Sequence, residues 1–292
     1  MGDAQINFIN TAVVPIGLIA IMFSLGLSLT LKDFKRVGQQ GTGLGLGVLG
    51  QLILLPLLGL SVVAAFHLPP EMAVGLMILA ICPGGVTSNA IAFAVRANVA
   101  LSVSLTVISS LVTIVTIPIL MGVILDHYLG SGDAPPFSPL NTFMKLFQMT
   151  VIPVALGMVL RRFLNAFADR LVIWLRPVAL IVLVSVIGFS LYASADLLLD
   201  NITTAGPAAF VLNISALLGG YLLARAGGLN EQDRMTVSIE VGVQNATVAT
   251  FLTLTVLDDM ALAITPTLYG LIMILNTLVV PKLLTKAWKQ AA

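Results

Sequence analysis

Glu240 stands in the middle of an apolar run, Ser238-Ile239-Glu240-Val241-Gly242-Val243-Gln244-Asn245, with no Lys or Arg at matching depth. Much earlier in the chain, Cys82-Pro83-Gly84-Gly85-Val86-Thr87-Ser88-Asn89 sets a helix breaker and three polar side chains inside another apolar run. Together the two segments offer a carboxylate, amide oxygens and hydroxyls, the hard oxygen donors that suit a hard cation such as sodium. Ser102 and Thr106 follow at i and i+4, on one helix face, and Gln51 is a lone amide in a further apolar run. A carboxylate at bilayer depth costs roughly 2.5–3.5 kcal/mol on insertion scales, which leaves it carrying a proton or a bound cation. One lone Glu supplies neither a nucleophile with its base nor a pair of acids, so no catalytic chemistry is expected.

Membrane helices are the elements that must position these groups. Of 292 residues, 58% are hydrophobic and 9% charged, and the mean hydropathy is +1.06. A soluble domain carries about 25% charged residues, so this chain lacks the polar material to cover a core, and lipid is the alternative solvent. A net charge of +1 gives no reason to expect a nucleic-acid partner. The single cysteine, Cys82, excludes an internal disulfide and a Cys-based zinc cluster. Apolar stretches long enough for a 30 Å hydrocarbon layer fall at roughly 11–31, 42–66, 71–95, 98–126, 139–161, 171–195, 204–225, 231–257 and 260–284. The connections are short, so residues 1–292 read as one all-α polytopic membrane domain of nine transmembrane helices.

Charge placement tests that segmentation. With the N-terminus outside, Lys32, Lys35, Arg36, Arg96, Arg161, Arg162, Arg170, Arg176, Arg225, Arg234, Lys282, Lys286 and Lys289 fall inside, and Lys145 alone falls outside. That is a strong positive-inside bias, placing the N-terminus outside and the C-terminus in the cytoplasm.

Two spans cannot be continuous helices. Pro83 lacks a backbone donor, and Gly84-Gly85 lower helix propensity directly after it. The eighth span carries Gly242 beside Glu240, Gln244 and Asn245. Unwound backbone at mid-membrane depth is tolerated where it is buried in protein or lines a cavity. The two breaks fall in the second-to-last span of each half, in opposite directions, which is the pattern of an inverted-repeat carrier with its site at the midplane. Gly85-Val86-Thr87-Ser88-Asn89-Ala90 also echoes Gly242-Val243-Gln244-Asn245-Ala246, one residue shorter.

The segments CPGGVTSN, NVALSVSLT and EVGVQN resemble those of the bile acid:sodium symporter family, whose best-known members are ileal and hepatic bile acid carriers. The resemblance runs from MFSLGLSLTLKDF in the first span to the last helix. It implies a sodium-coupled symporter of organic anions working by alternating access, functional as a monomer in a bacterial inner membrane, with lipid around it. Residue by residue, it implies a first sodium site of Ser88, Asn89, Ser102, Thr106 and Glu240. A second would comprise Gln51, Glu240 and Gln244 with the carbonyls of Val241 and Val243. Glu240 would touch both ions. The family's division implies a core over about 42–126 and 204–284, and a panel over about 11–31 and 139–195. Substrate is expected in the crevice between them, at the crossing, where half-helix N-termini favour an anion, with Thr87, Asn245 and Asn276 as contacts. Two positions depart from the pattern: Val86 stands where many relatives have Thr, and Leu275 where some have His. Both lie near the expected anion position and leave the substrate open among bile acid-like, pantoate-like and keto acids. A proton-coupled carrier is the nearest alternative, and a passive channel the next.

Gly45-Leu46-Gly47-Val48-Leu49-Gly50 matches a dinucleotide-binding pattern literally, but inside an apolar span without a preceding strand it reads as helix packing. Asp258-Asp259 reads as a solvated turn, and His67 and His127 lack metal-site spacing.

Overall fold

The computed structural model describes residues 8–37, 40–130, 135–175, 181, 188 and 195–291, with side chains described except at 35–37, 195–201, 278 and 280–291. Among these residues the chain is helical and forms no strand. Five helices are long and apolar enough to cross a membrane: Ile9–Ser28, Gly41–Phe66, Val99–Tyr128, Pro139–Phe163 and Ile202–Ala226. Three shorter apolar helices, Pro70–Ala80, Ala246–Val256 and Ala261–Thr277, lie beside the breaks or follow them. The expected span at 171–195 falls for the most part outside the described residues.

In chain order the helices are α1 (Val14–Ser28), α2 (Leu31–Val37), α3 (Gly41–Leu49), α4 (Leu55–Phe66), α5 (Pro70–Ala80), α6 (Thr87–Ala94) and α7 (Val99–Tyr128). There follow α8 (Pro139–Leu146), α9 (Ile152–Phe163), α10 (Ala195–Ala226), α11 (Glu231–Gly242), α12 (Ala246–Phe251) and α13 (Ile264–Ala291).

Three of these helices are entered through a π-helical turn: Ile9–Val13 before α1, Gly50–Leu54 before α4 and Phe147–Val151 before α9. Each is followed by a proline at the second helical residue, namely Pro15, Pro56 and Pro153. Proline has no N–H to return to the preceding turn, and the widened turn absorbs the missing bond. In the first case the carbonyl of Asn10, five residues before Pro15, accepts instead from Thr255 Oγ1 at 2.6 Å. Thr255 belongs to a further π-helical turn, Leu252–Val256, that continues α12. Lys145 Nζ reaches the Thr255 carbonyl at 3.5 Å, and Asn10 Nδ2 reaches Asp258 Oδ1 at 3.5 Å. The end of α12 is thus fastened to both the first and the fifth apolar spans.

Packing sorts the remaining contacts. α1 runs along α9 closely enough that a Cβ on Gly26 or Gly157 would strike the opposite main chain. α10 lies against α11, and Ser238 Oγ donates to the Leu217 carbonyl at 2.6 Å. The glycines of α3 do serve packing, through Gly43 and Gly47 against Leu101 and Leu105, while Gly45 faces open space. Leu55, Leu76, Leu79, Leu101, Phe251 and Tyr269 are fully buried between helices. Leu57, Ile119, Val123, Leu156 and Leu222 stay exposed on the outer faces of membrane-length helices, the surface that lipid solvates.

Candidate ion and substrate site

The two broken helices meet at their breaks. α5 ends at Ala80 and α6 resumes at Thr87; α11 ends at Gly242 and α12 resumes at Ala246. Across the gap Gly85 N donates to Val243 O at 2.7 Å and Asn245 N donates to Pro83 O at 3.0 Å. This short antiparallel bridge, Gly84 to Gln244, satisfies backbone groups that a helix break leaves open. It also explains Gly84-Gly85 in steric terms. A Cβ on Gly84 would overlap Glu240 Oε1, and one on Gly85 would sit 2.8 Å from Gln244 O.

Glu240, 1% exposed, lies on the last turn of α11. Ser88 Oγ and Ser102 Oγ donate to its Oε2 at 2.7 and 3.0 Å, and Thr106 Oγ1 donates to its Oε1 at 2.6 Å. Ser88 lies in the first turn of α6, and Ser102 and Thr106 are one turn apart on α7. Three hydroxyls from two helices therefore surround one carboxylate, and Ser88 and Thr106 stand 3.5 Å from each other. No salt bridge involves Glu240 among the described residues.

At the bridge itself Gln244 pairs its amide with that of Gln51, each 1% exposed. Gln51 Nε2 donates to Gln244 Oε1 at 2.7 Å and to the Cys82 carbonyl at 2.8 Å; Gln244 Nε2 donates to the Val241 carbonyl at 2.7 Å and to Gln51 Oε1 at 3.3 Å. Gln51 sits in the π-helical turn that Pro56 imposes, and Gly50 beside it lets that turn close on Val241. Carboxylate, amide oxygens and main-chain carbonyls thus converge from four chain segments, a donor set that suits a hard cation.

The remaining expected residues are placed less uniformly. Asn89 Oδ1 is buried without a hydrogen-bond partner among the described residues, and an unpaired buried acceptor is the kind of atom a cation would satisfy. Thr87 is exposed at the start of α6, directly after half-buried Val86. Asn245 is 6% exposed and its Oδ1 accepts from Val248 N at 3.1 Å, capping α12. Asn276 points to Asn213, donating to its Oδ1 at 3.0 Å. Asn213 and Tyr269 escape the sequence reading, yet both bond the Gly242 carbonyl at the break. Asn213 carries the signal that singles out Gln51, a lone amide in an apolar span; Tyr269 carries none.

Beside the crossing lies a narrow cleft lined by Met22, Leu146, Thr150, Ser110, Thr113 and Asn245, among others. Its walls come from α1, the turn before α9, α7 and the bridge itself, so it opens between the α1–α9 pair and the broken helices.

A helical chain with several membrane-length apolar helices and an oxygen-rich cluster at two crossing breaks defines a multi-pass membrane transporter. Residues 15–201 match the model of the Sodium Bile acid symporter family. The uncharacterized sodium-dependent transporter YocS of Bacillus subtilis is 30% identical over 226 residues, 77% of this chain and 68% of its own length. The ileal sodium/bile acid cotransporter of Homo sapiens is 30% identical over 244 residues, 82% of this chain and 68% of its own. The probable sodium/metabolite cotransporter BASS1 of Arabidopsis thaliana chloroplasts is 31% identical over 250 residues, 84% of this chain and 60% of its own. The chain belongs to the sodium bile acid symporter family, a family of transporters and not of enzymes.

Proposed function

We propose that this protein is a sodium-coupled symporter of small organic anions that works by alternating access. The observation that carries the reading is Glu240, a buried carboxylate whose hydrogen-bond partners among the described residues are neutral hydroxyls, with Asn89 Oδ1 unpaired among the same residues on the adjoining helix. Sodium at Ser88, Asn89, Ser102, Thr106 and Glu240 would supply the missing positive charge. A second sodium would use Gln51, Glu240, Gln244 and the Val241 and Val243 carbonyls. Nine spans arranged as an inverted repeat, the N-terminus outside, and a core that moves against a panel of the first, fifth and sixth spans complete the proposal. The named relatives, a sodium-dependent transporter and two sodium cotransporters, support sodium coupling.

The anion would occupy the cleft between α1, α7 and the bridge, where its apolar body meets Met22, Ile114 and Ile117. Its charged group would face the N-terminal ends of α6 and α12, near Thr87 and Asn245. The test is uptake into proteoliposomes of bile salts, pantoate and 2-keto acids under a sodium or a potassium gradient. Accumulation of at least one anion with sodium alone supports the proposal. Uptake driven equally by a proton gradient without sodium would replace it with proton coupling.

A further inference from the structure

Every carbonyl freed where α11 ends needs a donor, and their partners are not equivalent. Val241 O takes the Gln244 amide at 2.7 Å, and Val243 O takes Gly85 N at 2.7 Å. Gly242 O, between them, takes two donors from outside the crossing: Asn213 Nδ2 at 2.8 Å from α10 and Tyr269 Oη at 2.9 Å from α13. Both side chains are fully buried. Asn276 Nδ2 donates to Asn213 Oδ1 at 3.0 Å, which fixes that amide with its nitrogen toward Gly242. A Cβ at Gly242 would run into the Leu217 side chain, one turn beyond Asn213 on α10. Glycine is therefore what allows α10 close enough for the amide to reach.

We propose that Tyr269, Asn213 and Asn276 are positioning residues for the ion site, acting through the Gly242 carbonyl. That carbonyl and Val243 N share one peptide plane, and Val243 N is itself held by Ile239 O at 2.8 Å. Pinned at both ends, the plane cannot rotate, and so it fixes where the flanking Val241 and Val243 carbonyls point. Without the two outside donors the plane is held at Val243 N alone, and the aim of the flanking carbonyls rests on the Gln244 amide and Gly85 N by themselves. Asn276 thereby serves the cations through Asn213 instead of contacting substrate. The inference rests on the reading of Glu240 to Gln244 as an ion site.

The experiment is a sodium titration of thermal unfolding on the purified full chain, at constant ionic strength with potassium as the balance. Tyr269→Phe removes one hydroxyl at nearly constant volume and should raise the half-saturating sodium concentration about fivefold, the equivalent of one hydrogen bond. Asn276→Leu, at a half-buried position, should raise it about two- to threefold, because Asn213 keeps its bond but loses its orientation. A purely structural network would lower the unfolding temperature equally in both salts and leave half-saturation at the wild-type value in both variants, which overturns the proposal. An Asn276→Leu variant with wild-type sodium response and weakened anion binding would overturn it too, by returning Asn276 to the substrate. A wild type without any sodium-specific shift marks failure of the ion-site reading itself, and is seen before either variant is measured.

Discussion

Replacing Glu240 by Ala should erase sodium-specific stabilisation while leaving a folded protein. Glu240 accepts from Ser88, Ser102 and Thr106. Without it Thr106 keeps the Ser102 carbonyl at 3.1 Å, and Ser88 keeps only a 3.5 Å approach to Thr106. Ser88 and Ser102 left unsatisfied would cost about 1–3 kcal/mol each. Against this, removing a carboxylate from bilayer depth returns roughly 2.5–3.5 kcal/mol. The two contributions largely cancel, so in potassium the variant should unfold within several degrees of the wild type. Sodium acts differently, because a ligand that binds only the folded state stabilises it by about 2.7 kcal/mol at a hundredfold excess over Kd. At about 2–4 °C per kcal/mol for a chain approaching this size, each occupied site is worth roughly 5–11 °C. The assay is the apparent Tm in sodium against potassium at equal ionic strength. The wild type should show the sodium shift and Glu240→Ala none. A variant that keeps the shift would refute Glu240 as the shared ligand, and a wild-type shift that follows pH and ignores sodium would point to proton coupling.

Three further substitutions separate parts of the site. Gln51→Ala should raise half-saturating sodium at least about tenfold, as expected for a lost bond to a charge, without unfolding the protein; loss of expression instead would mark Gln51 as structural. Thr255→Val removes the hydroxyl that fastens the Asn10 carbonyl to the end of α12. It should enlarge a long-distance population, about fivefold, between spin labels at exposed Leu140 and Glu71, whereas Thr255→Ser should not; identical distributions would show that this contact does not restrain opening. Val86→Thr places a hydroxyl at the start of α6 and should change the ranking of anions in an uptake panel; an unchanged ranking would mean that position 86 does not face substrate.

Much of this site was legible because burial in lipid makes polar residues expensive. Glu240, Gln51 and the Thr87-Ser88-Asn89 run stood out against apolar surroundings, and Pro83-Gly84-Gly85 marked where one helix had to stop. Spacing along the chain could not reveal that the two breaks bond each other through Gly85, Val243, Pro83 and Asn245, since that depends on tertiary placement. Nor could it show that Asn245 caps α12 or that Asn276 donates to Asn213. The π-helical turns were likewise hidden. Nothing in the residue pattern around Pro15, Pro56 and Pro153 marks the widened turns before them, which carry Gln51 and free the Asn10 carbonyl. Tyr269 gave no signal, because one aromatic in an apolar span is indistinguishable from core.

The most direct test of sodium coupling at the crossing is anion uptake into proteoliposomes under a sodium gradient, with and without an imposed inside-negative potential. Two sodium ions with one monoanion carry a net charge of +1 inward, worth about 2.3 kcal/mol per 100 mV. Uptake should therefore accelerate when the interior is made negative, and Glu240→Gln should abolish it under both conditions. Sodium-driven uptake that ignores the potential would contradict two sodium ions per anion, and uptake that persists without sodium would contradict the coupling itself.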